Sequence, residues 1–97
     1  MFDEKIQFTT VAELNSRSKN VNVEVKIVSI EEARKVRSRS DSTLHRVTEA
    51  LVGDSTGVVL LTLWDEQIDA FSVGKTYAVK NAFINLINGT MHLNVGR

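Results

Sequence analysis

The sequence predicts an all-β domain: a five-stranded Greek-key barrel with a short helix between the third and fourth strands. Three observations predict it. Apolar and polar residues alternate with a period of two over most of the chain after residue 20. That alternation changes phase by one residue at two places, as it does where a strand bulges and bends. After residue 20, one short segment just beyond Trp64 has helical spacing instead. Five strands laid flat would leave long open edges, and curling them into a small barrel plugged by a helix reduces that exposure.

The composition suits such a domain. Ninety-seven residues with 12 Lys+Arg, 12 Asp+Glu, 42% hydrophobic and 25% charged residues fall within the range of one folded domain and exclude disorder of the whole chain. The absence of cysteine excludes disulfides and thiolate metal sites, and His45 and His92 cannot build a zinc site alone. No cofactor is expected. With no proline, the turns fall to Gly, Asn, Asp and Ser. The N-terminal MFDEKIQF is mixed in charge and no apolar run is long enough to span a bilayer, so neither a leader nor a membrane segment is expected. The expected location is the cytoplasm.

The elements follow in order. Residues 1–20 read as a lead-in with a helical turn at Val11 to Leu14, started by a Thr10-Val11-Ala12-Glu13 capping box. The domain proper is expected over residues 21–97. Val21, Val23, Val25 and Ile27 alternate with polar residues before the apolar phase jumps to Val28 and Ile30, which predicts a bent first strand. Glu31 to Ser42, polar and basic, reads as a loop or an extended hairpin arm. A second strand over about Thr43 to Val52 has Ala50 and Val52 inward, Gly53 to Gly57 turns the chain, and Val58 to Trp64 forms the third strand. Asp65 is a fitting N-cap for a short helix over Glu66 to Phe71, with Ile68 and Phe71 on one side. The fourth strand spans about Lys75 to Leu86, with a second phase break between Lys80 and Ala82. Asn88-Gly89 makes a hairpin, and in the fifth strand Met91, Leu93 and Val95 point inward with Thr90, His92 and Asn94 outward. This element order is that of the oligonucleotide/oligosaccharide-binding (OB) fold.

The charges are unevenly spread. Residues 34–46 hold Arg34, Lys35, Arg37, Arg39 and Arg46 against Asp41 alone, while the segments on either side are acidic. On the third strand Val59, Leu61 and Leu63 form one face, and Val58, Leu60, Thr62 and Trp64 form another that is also apolar and needs a cover. One reading buries Trp64 as core beneath the helix. The other turns it outward beside Phe83, which the second phase break would also direct to solvent, as on neighbouring strands. Exposed aromatics near a basic loop suit sequence-tolerant binding of single strands, because every base has a π-face and every phosphate needs a cation.

Four stretches carry a resemblance. Glu49 to Gly57, Leu61-Thr62-Leu63-Trp64, Lys80-Asn81-Ala82-Phe83 and Asn88 to Gly96 together resemble the archaeal simple single-stranded DNA-binding proteins, single-OB relatives of replication protein A. The resemblance implies that Trp64 and Phe83 are the stacking aromatics and that single-stranded DNA is the partner, in replication, repair or recombination. Ile87 stands where many relatives carry another aromatic, and Asn88 where lysine is common. Leu60, Thr62, Ile87 and Asn94 are expected on the same face. Arg34, Lys35, Arg37, Arg39, Arg46 and Lys80 are the candidate phosphate contacts, and three to five of them would give a salt slope of roughly −2 to −3.5. Many relatives continue into a partner-recruiting tail; this sequence stops at Arg97.

Two alternatives stay open: RNA as the ligand, or docking of a protein on the Val58, Leu60 and Trp64 face, with replication and repair proteins as further partners. The chain is expected to be a monomer. Catalysis is not expected, because Asp54 belongs to a turn, Asp65, Glu66 and Asp69 belong to a helix start, and no phosphate-binding glycine loop is present.

Overall fold

The computed structural model describes residues 7–96, so part of the N-terminal stretch read above for a leader lies outside the described residues, as does Arg97. The strands are β1 (Val21–Ile30), β2 (Arg34–Arg37), β3 (Leu44–Asp54), β4 (Gly57–Trp64), β5 (Thr76–Ile87) and β6 (Thr90–Asn94), with one helix, α1 (Glu66–Ala70), and a 3₁₀ turn at Val11–Glu13. They form a sheet in the order β1-β5-β6-β4-β3-β2, and a further pairing of β1 with β3 closes it. The architecture is the expected OB barrel. Six strands rather than five are found among the described residues, because the basic arm after β1 itself pairs, Arg34 opposite Val47 through to Arg37 opposite Leu44. The helix therefore lies between β4 and β5. With Val36 the only apolar residue of β2, this segment carries almost no alternation from which to predict a strand.

Both phase breaks are bulges. In the β1–β3 pairing the register shifts between Ile27 and Ser29, leaving Val28 as the extra residue and half exposed rather than inward. The bend lets β1 serve both β3 and β5. In the β1–β5 pairing the single residue of β1 between Val21 and Val23 faces two residues of β5 between Ala82 and Val79. Asn81 there adopts φ 55°, and its amide donates to Asn22 Oδ1 at 2.9 Å. The extra residue reverses the parity of all that follows. Val79 and Ala82 both face the core, and Phe83 faces out.

The core is the barrel interior, with Val23, Val25, Ile27, Ala50, Val52, Leu61, Leu63, Ala82 and Leu93 fully buried. Ile68, Phe71 and Tyr77 close one end, the last two rings meeting edge to face at 4.7 Å. Val11 and Leu14 close another part of it. The Glu13 carboxylate accepts the Thr10 amide at 2.9 Å and the Thr10 hydroxyl at 2.8 Å, which closes the capping box and lowers the Glu13 pKa. The Asn88-Gly89 hairpin forms as expected, both residues having positive φ. His92 departs from its expected outward exposure. It points to the outer face, but β6 lies between β4 and β5, and neighbours on both sides bury it to 8% exposure.

Asp54 ties the lead-in to the barrel. Its Oδ2 accepts the Val11 amide at 2.9 Å, and its Oδ1 accepts the Thr56 amide at 2.8 Å as well as the Thr56 hydroxyl. Burial pushes its carboxyl up, but the hydrogen bonds from Thr56, Val11 and Gly57 outweigh that and hold it below its ordinary value. A carboxyl lowered by folding stabilises above its unfolded pKa, about 4, and loses that contribution as the pH falls through the lower folded value. Asp54→Ala is expected to cost about 1 kcal/mol in urea denaturation at neutral pH, and the gap from the parent is expected to close below about pH 4.

Candidate nucleic-acid interface

Strand register assembles one outer face. Thr62 of β4 lies opposite Glu49 of β3 on one side and Asn94 of β6 on the other, and Asn94 lies opposite Phe83 of β5. Directly opposed residues share a face, so this row runs Glu49, Thr62, Asn94, Phe83. The row beside it runs Leu51, Leu60, His92, Asn85. Trp64, two residues beyond Thr62, sits opposite Val47, which in turn sits opposite Arg34. Trp64 is 43% exposed and Phe83 37%, so neither ring is core. They do not stand on neighbouring strands as expected. β6 runs between β4 and β5, and the two rings line a shared cleft of about 540 Å³ that includes Thr62 and Asn94. Ile87 continues the alternation of Phe83 and is half exposed at the far end of β5.

Two local features shape this cleft. The bulge at Asn81 directs Phe83 to it, and Gly96, which also lines it, crosses that bulge so closely that a Cβ would overlap the Asn81 carbonyl oxygen. Only glycine permits this approach. At the other wall the chain turns sharply from β4 into α1 at Asp65, with φ 51° and ψ −120°, a region that strains a residue bearing a Cβ. Asp65 does not cap the helix with its side chain as expected. Its carboxylate instead reaches back to β3, accepting the Arg46 amide at 3.0 Å and lying 2.9 Å from His45 Nδ1. The Arg46 amide, then His45, hold the Asp65 carboxyl below its ordinary value.

The six candidate cations are not brought together. Arg34 lies on the outer face but is paired to Glu49 at 3.1 and 3.3 Å. Arg46 and Lys35 oppose each other and alternate with His45 and Val36, the residues that line the cleft. They therefore project from the other side of the arm. Arg46 is committed there to Asp69 at 3.0 Å. Arg37 lines the cleft and donates to the Ser42 carbonyl at 2.7 Å, which leaves its charge uncompensated. Arg39, in the turn of the arm, and Lys80, one residue before the Asn81 bulge, are exposed. Among the described residues Lys35, Arg37, Arg39 and Lys80 form no ion pair.

Val36, His45, Asp65 and Val95 also line the cleft, although the sequence reading gives none of them a binding role. His45 meets Trp64 edge to face, with centroids 6.5 Å apart and planes at 83°. Its parity with Val47 was legible, but its nearness to Trp64 depends on the pairing of β3 with β4 and on the turn at Asp65. No group of three His, Cys, Asp or Glu residues able to hold a metal ion occurs among the described residues, and no helix there is long and apolar enough to cross a membrane.

A closed OB barrel with an aromatic cleft across its central strands defines the structural class. Residues 14–97 match the model of the single-stranded DNA binding protein Ssb-like OB-fold family, and the chain belongs to that family. It is 33% identical over 86 residues to the single-stranded DNA binding protein Ssb of Saccharolobus solfataricus, covering 89% of this chain and 57% of that one. It is 31% identical over 98 residues to an uncharacterised Arabidopsis thaliana protein, covering 93% and 64% respectively. The chain thus spans about six-tenths of the length of these relatives. A solution structure of a hypothetical Arabidopsis thaliana protein superposes with a TM-score of 0.78 at 30% identity, covering all of this chain and 72% of that one. The second OB-fold domain of replication protein A from Methanococcus maripaludis has a TM-score of 0.76 at 18% identity, covering 94% and 91%, a likeness of fold.

Proposed function

We propose that this chain binds single-stranded DNA with little sequence preference, as a monomeric binding module without catalysis. The observation that carries the reading is the shared cleft, into which Trp64 and Phe83 bring two half-exposed rings across β6. Bases stack on these rings, Thr62 and Asn94 offer polar groups between them, and Leu60 and Ile87 extend the apolar surface along the strand's path. Asn94 spends an amide N–H on the His92 carbonyl at 3.1 Å, so its side-chain oxygen remains to accept from a base edge. Phosphate contacts come from Arg37, Arg39 and Lys80, with Lys35 on the far side of the arm and the ion-paired Arg34 and Arg46 contributing less. Membership of the family and the likeness to an archaeal Ssb support the reading. A role in DNA replication, repair or recombination in the cytoplasm belongs to the same proposal and rests on the family alone.

The deciding experiment titrates equal lengths of oligo-dT, oligo-rU and duplex against the chain while following Trp64 fluorescence. Strong quenching by oligo-dT, weaker quenching by oligo-rU and little by duplex are expected. Equal or better response to oligo-rU would favour RNA, and no response together with concentration-dependent self-association would favour a protein-docking face. With two to four uncompensated cations engaged at about 0.7 each, log K is expected to fall against log[salt] with a slope of about −1.5 to −3. A slope steeper than about −4 would mean that Arg34 and Arg46 leave their carboxylates to join the contacts.

A further inference from the structure

Phe83 faces outward only because the β5 bulge precedes it. If the extra residue moved along β5 past the ring, the ring would turn toward the core, so whatever fixes the bulge also aims Phe83. Asn22 is the single residue of β1 opposite the bulged pair Lys80 and Asn81, and its Oδ1 accepts the Asn81 amide at 2.9 Å. Past Ala82, where the pairing with β1 ends, β5 is met by the segment that leads into β1: the Ile84 amide donates to the Ser18 carbonyl at 2.9 Å. Ser18 sits in a turn closed twice, its amide donating to the Asn15 carbonyl at 3.0 Å and its hydroxyl accepting the Asn15 amide at 2.9 Å. Asn22 is itself tied to the chain ahead of it. Its carbonyl accepts the Thr9 amide at 2.7 Å, and its Nδ2 donates to the Gln7 carbonyl at 3.2 Å. Phe83 is thus bracketed, two residues after one bond to this region and one residue before the other.

We propose that Asn22 is a positioning residue for single-stranded DNA binding: it fixes the bulge that aims Phe83, and through it the segment ahead of β1 takes part in holding the cleft. The inference rests on the stacking reading above, since it concerns how one of the two rings is held. A short amide suits the position because it carries an acceptor and a donor on separate atoms. The Asn81 N–H can meet only its oxygen, and the Gln7 carbonyl only its NH₂. Asn81 is exposed, so water can satisfy its amide once Asn22 is replaced, but water does not tie that amide to β1. Val79 and Ala82, the buried residues on either side of the bulge, are untouched by such a change, and the barrel is expected to survive it. What is lost is the fixed direction of an exposed ring. Trp64 stands on β4, across β6 from this region, and keeps its own support at Asp65.

The test is a double-mutant cycle between Asn22→Ala and Phe83→Ala, read as the affinity of the whole chain for a labelled oligo-dT by fluorescence anisotropy at about 0.3 M salt. Asn22→Ala is expected to bind roughly three- to tenfold more weakly than the parent, the effect of one well-placed hydrogen bond. The loss is expected to stay below that of Phe83→Ala, because a misdirected ring cannot cost more than an absent one. In the Phe83→Ala background the same substitution is expected to cost less than about twofold, whereas a merely structural role would weaken both backgrounds equally. Asn22→Asp keeps the acceptor for Asn81 and gives up the donor to Gln7. It is expected to bind within about twofold of the parent, its added charge being largely screened at this salt. Parent-like binding by Asn22→Ala, an equal loss in both backgrounds, or Asn22→Asp binding no better than Asn22→Ala would overturn the role of Asn22 while leaving the stacking reading intact. Parent-like binding by Phe83→Ala would overturn stacking on that ring and this inference with it.

Discussion

Trp64→Ala is expected to weaken oligo-dT binding roughly five- to 150-fold at about 0.3 M salt, the equivalent of about 1–3 kcal/mol for one stacked base. High salt is the informative condition. It suppresses the phosphate contacts, whose contribution falls with each released counterion, and leaves stacking, which is nearly independent of salt. The ring is 43% exposed and its nearest aromatic neighbour, His45, meets it only edge to face at 6.5 Å, so the barrel does not depend on it. Urea denaturation of the variant is accordingly expected to match the parent within about 1 kcal/mol. Phe83→Ala belongs to the same experiment, and the double variant is expected to lose less than the sum of the two if both rings grip one base. Parent-like affinity in Trp64→Ala at high salt would refute stacking on this ring.

The contrast between fold and site explains what the sequence could show. Val23, Val25 and Ile27, then Val59, Leu61 and Leu63, lie on one face because alternation is a local rule, and the structure buries all six. The two bulges were legible for the same reason, since an extra residue is a visible change of phase. The site depends on facts that alternation does not hold. That β6 inserts between β4 and β5 follows from barrel closure, so the separation of Trp64 from Phe83 by a strand could not be read locally. Arg34 and Glu49 are fifteen positions apart and meet only because β2 folds back on β3, which removes one cation from the expected set. Asp65 was a plausible helix cap by residue type. It serves β3 instead because its strained backbone turns the carboxylate toward His45 and the Arg46 amide.

Leu61→Ala is expected to have the opposite signature, a large loss of stability with binding retained while the variant is folded. Leu61 is fully buried, opposite Ala50 of β3 and opposite Leu93 of β6 across the parallel pair. That parallel pair is short, with register given by Leu60, Leu61 and Thr62 against His92, Leu93 and Asn94, yet the β4–β6 side of the barrel depends on it. Truncation removes the transfer energy of the side chain and leaves a cavity that two fixed strands cannot collapse to fill, at a cost of about 2–5 kcal/mol. For a domain of about 5–15 kcal/mol total stability this is a large share, measurable as a shift of the urea midpoint without a change of slope. The outward neighbours Leu60 and Thr62 remain on the same strand, so at low temperature, where the variant stays folded, oligo-dT affinity is expected within about threefold of the parent. A loss of affinity equal to that of Trp64→Ala in the folded variant would mean that the cleft is held by packing at Leu61 rather than by the bulge at Asn81 and the turn at Asp65.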